Sequence, residues 1–357
     1  MKKNTAQIAV LGGGVIGLTT GISLLETGRC NVTVYTHRVA DSNPHSLPLV
    51  SEVACALWLP MWTNHSGQNR PGYQKQESHW SRNSFLRFSA LGSSCGIDRV
   101  LHHEFYTEDD LKSGLFISAE SADFLPDFHE GRDMEPPPMP HGMQPLVYHQ
   151  TFFTYIIVVP IYLAWLHQRF FALGGKLIPN VFFETTEDVM RIKADLYVNA
   201  LGLGASHVFH DAELAGIKGQ VILCPSDSNV QCSVGAGEFC MIPRRDALVL
   251  GSLFQSRFDG IAPTEDNTNQ ILQVVAPWVN FPAFRSTKQS LSSHAFTPHK
   301  ANIRALAGLR PFRSTGIRMA LEQIGGHNII HNYGHGGAGF SLSWGCAETV
   351  VTLFNTL

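Results

Sequence analysis

Three glycines near the start constrain this chain most. Gly12, Gly14 and Gly17 stand at G-x-G-x-x-G spacing, directly after the apolar, β-branched run at residues 7–11 and at the head of a helical pattern. In that pattern Val15, Leu18, Ile22 and Leu25 recur at helical spacing, and Gly28 falls where a C-terminal stop belongs. A second strand expected over residues 31–35 completes a βαβ unit. In such a loop the first glycine allows a tight turn, the second lets backbone approach a pyrophosphate, and the third lets helix pack on strand. The helix N-terminus then favours phosphate charge. The alternative is a glycine-rich turn without a ligand.

The motif alone leaves NAD, NADP and FAD open. An acidic residue commonly holds the ribose at the end of the second strand, but here that strand runs into Tyr35-Thr36-His37-Arg38. Arg38 keeps a 2′-phosphate, and hence an NADP dehydrogenase, among the readings. A solvated charge pair is the alternative for that side chain.

Composition narrows the partners. Lys and Arg number 26 against 29 acidic residues, a formal charge of -3, so the chain has no basic field for nucleic acid or anionic lipid. A small, weakly charged partner is expected. With 357 residues and 44% hydrophobic composition, two domains are expected. Seven scattered cysteines with no C-x-x-C pair argue against a disulfide framework or a structural zinc, so no metal is expected and a reducing compartment fits. Lys2 and Lys3 precede an apolar stretch that glycines interrupt before a secretory segment could form. The run at 152–166 contains Thr154 and Pro160 and is too short for a membrane span. Residues Asn355-Thr356-Leu357 are not a Ser-Lys-Leu type address. The expectation is a cytoplasmic protein.

From about Ala40 to Met143 the pattern reads as irregular, and Pro136-Pro137-Pro138 makes a rigid loop or boundary. A helix is expected over 160–175, stopped by Gly174 and Gly175, then a strand over 176–182. Another buried strand, 195–200, runs into Gly202-Leu203-Gly204. Between Gly219 and Gln255 strand-like runs alternate around a hairpin turn at Arg244-Arg245-Asp246, which predicts antiparallel sheet. The remainder supplies a strand over 328–332, a glycine-rich turn over 334–339 and a helix from about 341 to 354.

Three further segments carry a family likeness. Residues 51–60 (SEVACALWLP), 308–313 (GLRPFR) and 331–347 (HNYGHGGAGFSLSWGCA) resemble the D-amino-acid oxidase and D-aspartate oxidase family in order and spacing. With the glycine loop and VNALGLGA at 198–205, the resemblance spans nearly the whole chain. It implies an α/β architecture: a Rossmann-like, glutathione-reductase-like FAD-binding domain assembled from discontinuous segments (1–60, 150–210 and 305–357), plus a substrate domain on a mixed or antiparallel β-sheet (61–149 and 211–304). It also implies non-covalent FAD. Gly12, Gly14, Val15, Ile16, Gly17, Arg38 and Val181 would contact the cofactor. Ser51 would donate to phosphate, with Ala56 and Leu57 close to the flavin ring. Gly336, Ala338, Gly339, Phe340 and Ser341 would lie at the other end of the isoalloxazine.

The resemblance further implies that Arg310 binds a substrate carboxylate, where a guanidinium offers two parallel donors. A buried structural ion pair is the alternative for Arg310. Gly337 would accept a hydrogen bond from the substrate amine through its carbonyl. The implied reaction is hydride transfer from Cα of an amino or imino acid to flavin, giving an imine, with dioxygen reduced to hydrogen peroxide. No side-chain base is required, and His331 and His335 read as structural turn histidines.

Two departures bear on specificity. The family's two active-site tyrosines fall on Ala236 and Cys240, and the arginine by which D-aspartate oxidases recognise a second carboxylate falls on Phe254. Trp58, Phe239 and Phe254 would line a roomier, more apolar pocket. The readings are therefore an oxidase or dehydrogenase for an unusual substrate, in specialised biosynthesis, or a non-catalytic flavin-binding or regulatory protein on the same fold. A homodimer is left open.

Overall fold

The computed structural model describes residues 5–39, 49–60, 71–118, 122–285 and 302–357. Lys2, Lys3 and Ala40, used above, lie outside them. In chain order the strands are β1 (Ala6–Leu11), β2 (Cys30–Tyr35), β3 (Ile97–Thr107), β4 (His129–Gly131), β5 (Leu146–Ile157), β6 (Lys176–Ile178) and β7 (Leu196–Asn199). They continue as β8 (Leu214–Cys224), β9 (Cys232–Ala236), β10 (Phe239–Pro243), β11 (Leu248–Gly251), β12 (Arg304–Arg313), β13 (Arg318–Ile324) and β14 (His327–Tyr333).

Two sheets result. The first has the order β13-β14-β7-β1-β2-β6, parallel throughout except for β13. Its central strand β1 buries Ile8, Ala9, Val10 and Leu11 in succession, on both faces, as a strand covered on both sides must. The helix Val15–Glu26 packs on it through Val15, Leu18 and Ile22. The second sheet has the order β12-β8-β11-β10-β9-β3-β5-β4 and is antiparallel except where β3 runs alongside β9. The architecture is α/β, with a Rossmann-like sheet drawn from separated segments and a larger mixed sheet beside it.

Several local expectations need correction. The stretch read as irregular holds the 20-residue helix Pro71–Ala90 and the 11-residue β3. The helix carries a weak apolar stripe because it docks by close backbone approach: a side chain at Gly345 would overlap the backbone of Trp80. The strand expected over 176–182 ends at Ile178, since Pro179 has no N–H for the ladder. The apolar run at 152–166 divides between the end of β5 and the helix Val159–Ala172, with Pro160 in its first turn. Sheet membership also differs from the expected segment boundaries at two places, because β5 and β12 both join the larger sheet. No helix among the described residues is long and apolar enough to cross a membrane.

Candidate active site

The glycine loop is folded flush against the end of β7. Gly12 has φ +111°, and a Cβ there would overlap the Ala200 carbonyl oxygen; a Cβ on Gly17 would overlap the carbonyl of Gly12. Gly14 caps the helix without a side chain of its own, and Gly14, Val15 and Ile16 of the loop and first turn line a cavity. There Ser51 Oγ accepts from Val15 N–H at 3.1 Å, which leaves the serine proton for an acceptor in the cavity.

A cavity of about 550 Å³ runs from this loop to the larger sheet. Gly12, Gly14, Val15, Ile16, Arg38, Ser51, Ala56, Leu57, Gly336, Gly337, Ala338, Gly339, Phe340, Ser341 and Arg310 all line it. Gly17 and Val181 do not. Gly17 serves the packing of helix on loop, and Val181 donates its N–H to the carbonyl of Thr36, itself a lining residue, at 3.0 Å. Arg38 pairs with Glu52 at 3.2 Å, so the acid missing from the second strand reaches this corner from another segment. Of the three aromatics expected in the pocket, Phe239 and Phe254 line it. Trp58 instead lies fully buried against Phe85 and Phe124, with ring centroids 4.7 and 5.9 Å away.

Arg310 occupies the far wall, on β12. Its Nη1 donates to the Leu253 carbonyl at 2.8 Å and its Nη2 to Ser252 Oγ at 3.0 Å, while Cζ sits 3.9 Å from the centroid of Phe254. These contacts fix the guanidinium plane and leave donors to spare. Among the described residues no carboxylate lies within ion-pairing distance of it; Glu238 is near, but spends Oε2 on the Phe254 N–H at 2.7 Å. Burial pushes the Arg310 pKa below its usual value. A Cβ on Gly337 would stand 3.7 Å from both Arg310 Cδ and Phe254 Cζ, so the glycine turn and the arginine meet.

The site holds groups that sequence reasoning missed. Glu104, on β3, lines the cavity and accepts from His102 Nε2 at 2.8 Å; His102 Nδ1 lies 2.9 Å from Ser233 Oγ. Their i, i+2 spacing, which puts His102 and Glu104 on one face of a strand, is the sequence signal for this pair. Thr36 and Asn332 also line the cavity. Cys55 and Cys240 approach to 3.5 Å between sulfurs. That contact, with Arg310 and Arg244 nearby, lowers the Cys55 pKa, while the same contact and burial push Cys240 up.

Both turn histidines are buried; His331 lies outside the cavity, whereas His335 lines it. His331 is fully buried between Asn199 (3.1 Å) and Glu322 (2.9 Å), and burial lowers its pKa to about 4. Burial alone lowers His335 to about 3. Its folded pKa lies below the unfolded value, so protonation favours unfolding: stability is intact above about pH 6.5 and declines as pH falls towards 3. At pH 5 the deficit from this group is about 2 kcal/mol. Denaturant midpoints at pH 7 and 5 should therefore differ less in His335→Asn than in wild type, and equal differences would refute the assignment.

Comparison with known proteins decides the class. A family model described as DAO, FAD dependent oxidoreductase, matches residues 7–353. The chain belongs to this FAD-dependent oxidoreductase family. Human D-aspartate oxidase is 26% identical over 362 residues, covering 98% of this chain and 95% of that protein. Among solved structures, glycine oxidase from Geobacillus kaustophilus superposes with a TM-score of 0.70 at 14% identity, covering 99% of this chain and 95% of that one. L-Proline dehydrogenase from P. horikoshii gives 0.70 at 14%, covering 99% and 94%. The likeness to both structures is one of fold.

The cofactor of this flavoprotein is FAD, and the cradle fits it. The loop glycines leave the room that side chains would fill, the N-cap residue Gly14 brings no side chain to the helix N-terminus, and the cavity continues past the loop as an extended dinucleotide requires. The NAD and NADP readings fall away.

Proposed function

We propose that this flavoenzyme oxidises the C–N bond of an amino or imino acid, with dioxygen as the acceptor that regenerates the cofactor. The observation that carries the reading is Arg310, an oriented guanidinium without a carboxylate partner among the described residues, facing the same cavity as the glycine loop. Leaving such a cation unpaired is costly, and a substrate carboxylate satisfies it with two parallel hydrogen bonds. The adjacent Gly337 carbonyl would accept a hydrogen bond from the substrate nitrogen. Held at both ends, the substrate has its Cα hydrogen fixed in direction, which is the orienting contribution expected of a protein around a redox cofactor. FAD, when bound, supplies the two-electron acceptor for the hydride.

In this reading Gly12, Gly14, Val15, Ile16, Arg38 and Ser51 hold the nucleotide end, and Ala56, Leu57 and the 336–341 turn hold the ring end. The smaller sheet carries the nucleotide and the larger sheet the substrate. The names of the relatives, an oxidase of D-aspartate, an oxidase of glycine and a dehydrogenase of L-proline, support chemistry at an amino-acid C–N bond.

An anaerobic titration tests the proposal. The holoenzyme spectrum should bleach on addition of at least one member of a panel of D-amino, L-amino and cyclic imino acids, and admitting dioxygen should restore it with formation of peroxide. A second reading, a non-catalytic flavin-binding protein, rests on Ala236 and Cys240 standing where the family resemblance places tyrosines. It is upheld if no member of the panel bleaches the flavin.

A further inference from the structure

The larger sheet presents one row of residues to the cavity. Across neighbouring strands Glu104 pairs with Gly235, Gly235 with Cys240, Cys240 with Gly251, and Gly251 with Val221. Directly paired residues share a face, so Glu104 and Cys240 project on the same side. Arg310 is on that side too: Gly308, two residues before it, pairs with Gly219, two residues before Val221.

The glycines decide where the two charges lie. A Cβ on Gly235 would overlap the Glu104 carboxylate, and a Cβ on Gly219 would overlap the Arg310 guanidinium. Each long side chain therefore lies down across a glycine of the neighbouring strand, and the two lean towards one another from opposite sides of the same floor. The glycines they cover are three strands apart and two residues out of row, about 16 Å at the ordinary strand spacing and rise.

Glu104 is not consumed by the fold. His102, anchored on Ser233, holds Oε2, while Oε1 has no donor and the carboxylate no Lys or Arg partner among the described residues. A second cavity, of about 510 Å³, shares Glu104 and Arg310 with the first, so both side chains face the same two cavities.

We infer that the substrate carries a second, cationic group at the far end of its side chain, an amine or guanidinium, which Glu104 receives while Arg310 holds the α-carboxylate. This rests on the proposed oxidation of an amino or imino acid and names its substrate class. The separation suits a linear side chain of lysine or arginine length.

The test compares lysine with 2-aminoheptanoate, in which a methyl replaces the terminal ammonium, each as both enantiomers, in anaerobic reduction of the FAD holoenzyme. Lysine should exceed 2-aminoheptanoate in kcat/KM by at least about ten-fold for the reactive enantiomer. Glu104→Gln should collapse that ratio towards unity. Wild-type parity, or preference for 2-aminoheptanoate, overturns the inference from the ligand side alone, whether or not the variant folds, and leaves the oxidase reading standing. Failure of every amino and imino acid to reduce the flavin overturns both.

Discussion

Arg310→Met is expected to purify with its full complement of FAD and to lose about 10²- to 10³-fold in kcat/KM for flavin reduction by a carboxylate-bearing substrate. Truncating one member of a buried, hydrogen-bonded charge pair costs about 2–5 kcal/mol, and each 1.36 kcal/mol is a factor of ten in rate. Methionine keeps much of the arginine's length and its packing on Phe254, so the variant removes mainly charge and donors. Arg310→Lys is the sharper control. It restores the charge without the fork, and should recover only part of the loss. Anaerobic stopped-flow reduction measures both. A structural role predicts something different, because Arg310 also ties Ser252 and Leu253: flavin content and melting temperature would then fall together with the rate. Near wild-type reduction in Arg310→Met would place the carboxylate elsewhere.

What the sequence made legible, and what it did not, follows from the range of the interactions concerned. The nucleotide cradle was readable because its determinants are contiguous: one strand, one glycine loop and one helix within about thirty residues. The same is true of the final turn and helix, where Gly334, Gly336 and the apolar helix Gly339–Phe354 follow each other. Glu104 is the contrary case. Its importance lies in its pairing with Gly235, which is 131 positions away in sequence, and in a sheet order that interleaves strands from distant segments. No local pattern encodes that row. The helix Pro71–Ala90 escaped for a different reason: helical periodicity is a hydrophobic signal, and this helix docks partly through backbone at Gly345 and through the Trp80 indole N–H to Thr349 Oγ at 2.8 Å. The Arg38–Glu52 pair shows a third limit. The sequence showed that no acid followed the second strand, but Glu52 approaches from a separate segment, fourteen residues on.

Gly12→Ala and Gly14→Ala should separate folding from cofactor binding within one loop. At Gly12 the backbone sits at φ +111°, where a side chain is strained whatever the space, and the added methyl would press on the backbone carbonyl of Ala200, which cannot swing away. Strain of this kind costs about 1–3 kcal/mol before the overlap is counted. Gly12→Ala is therefore expected to lower the denaturation midpoint strongly and to yield little flavin-loaded protein. At Gly14 the backbone is extended, and the methyl would meet only Ser51 Oγ, at 3.2 Å, the end of a movable side chain. The fold should survive with a nearly unchanged midpoint. Yet the methyl stands at the mouth of the helix, beside the Val15 N–H and the serine that would face a phosphate, so the apparent Kd for FAD should rise by about ten-fold or more. Fluorescence titration of the apoprotein with FAD, beside a denaturation curve for each variant, gives both quantities. If Gly14→Ala binds FAD as tightly as wild type, the helix N-terminus is not the phosphate site; if Gly12→Ala is as stable as wild type, the close approach to Ala200 is not what holds the loop.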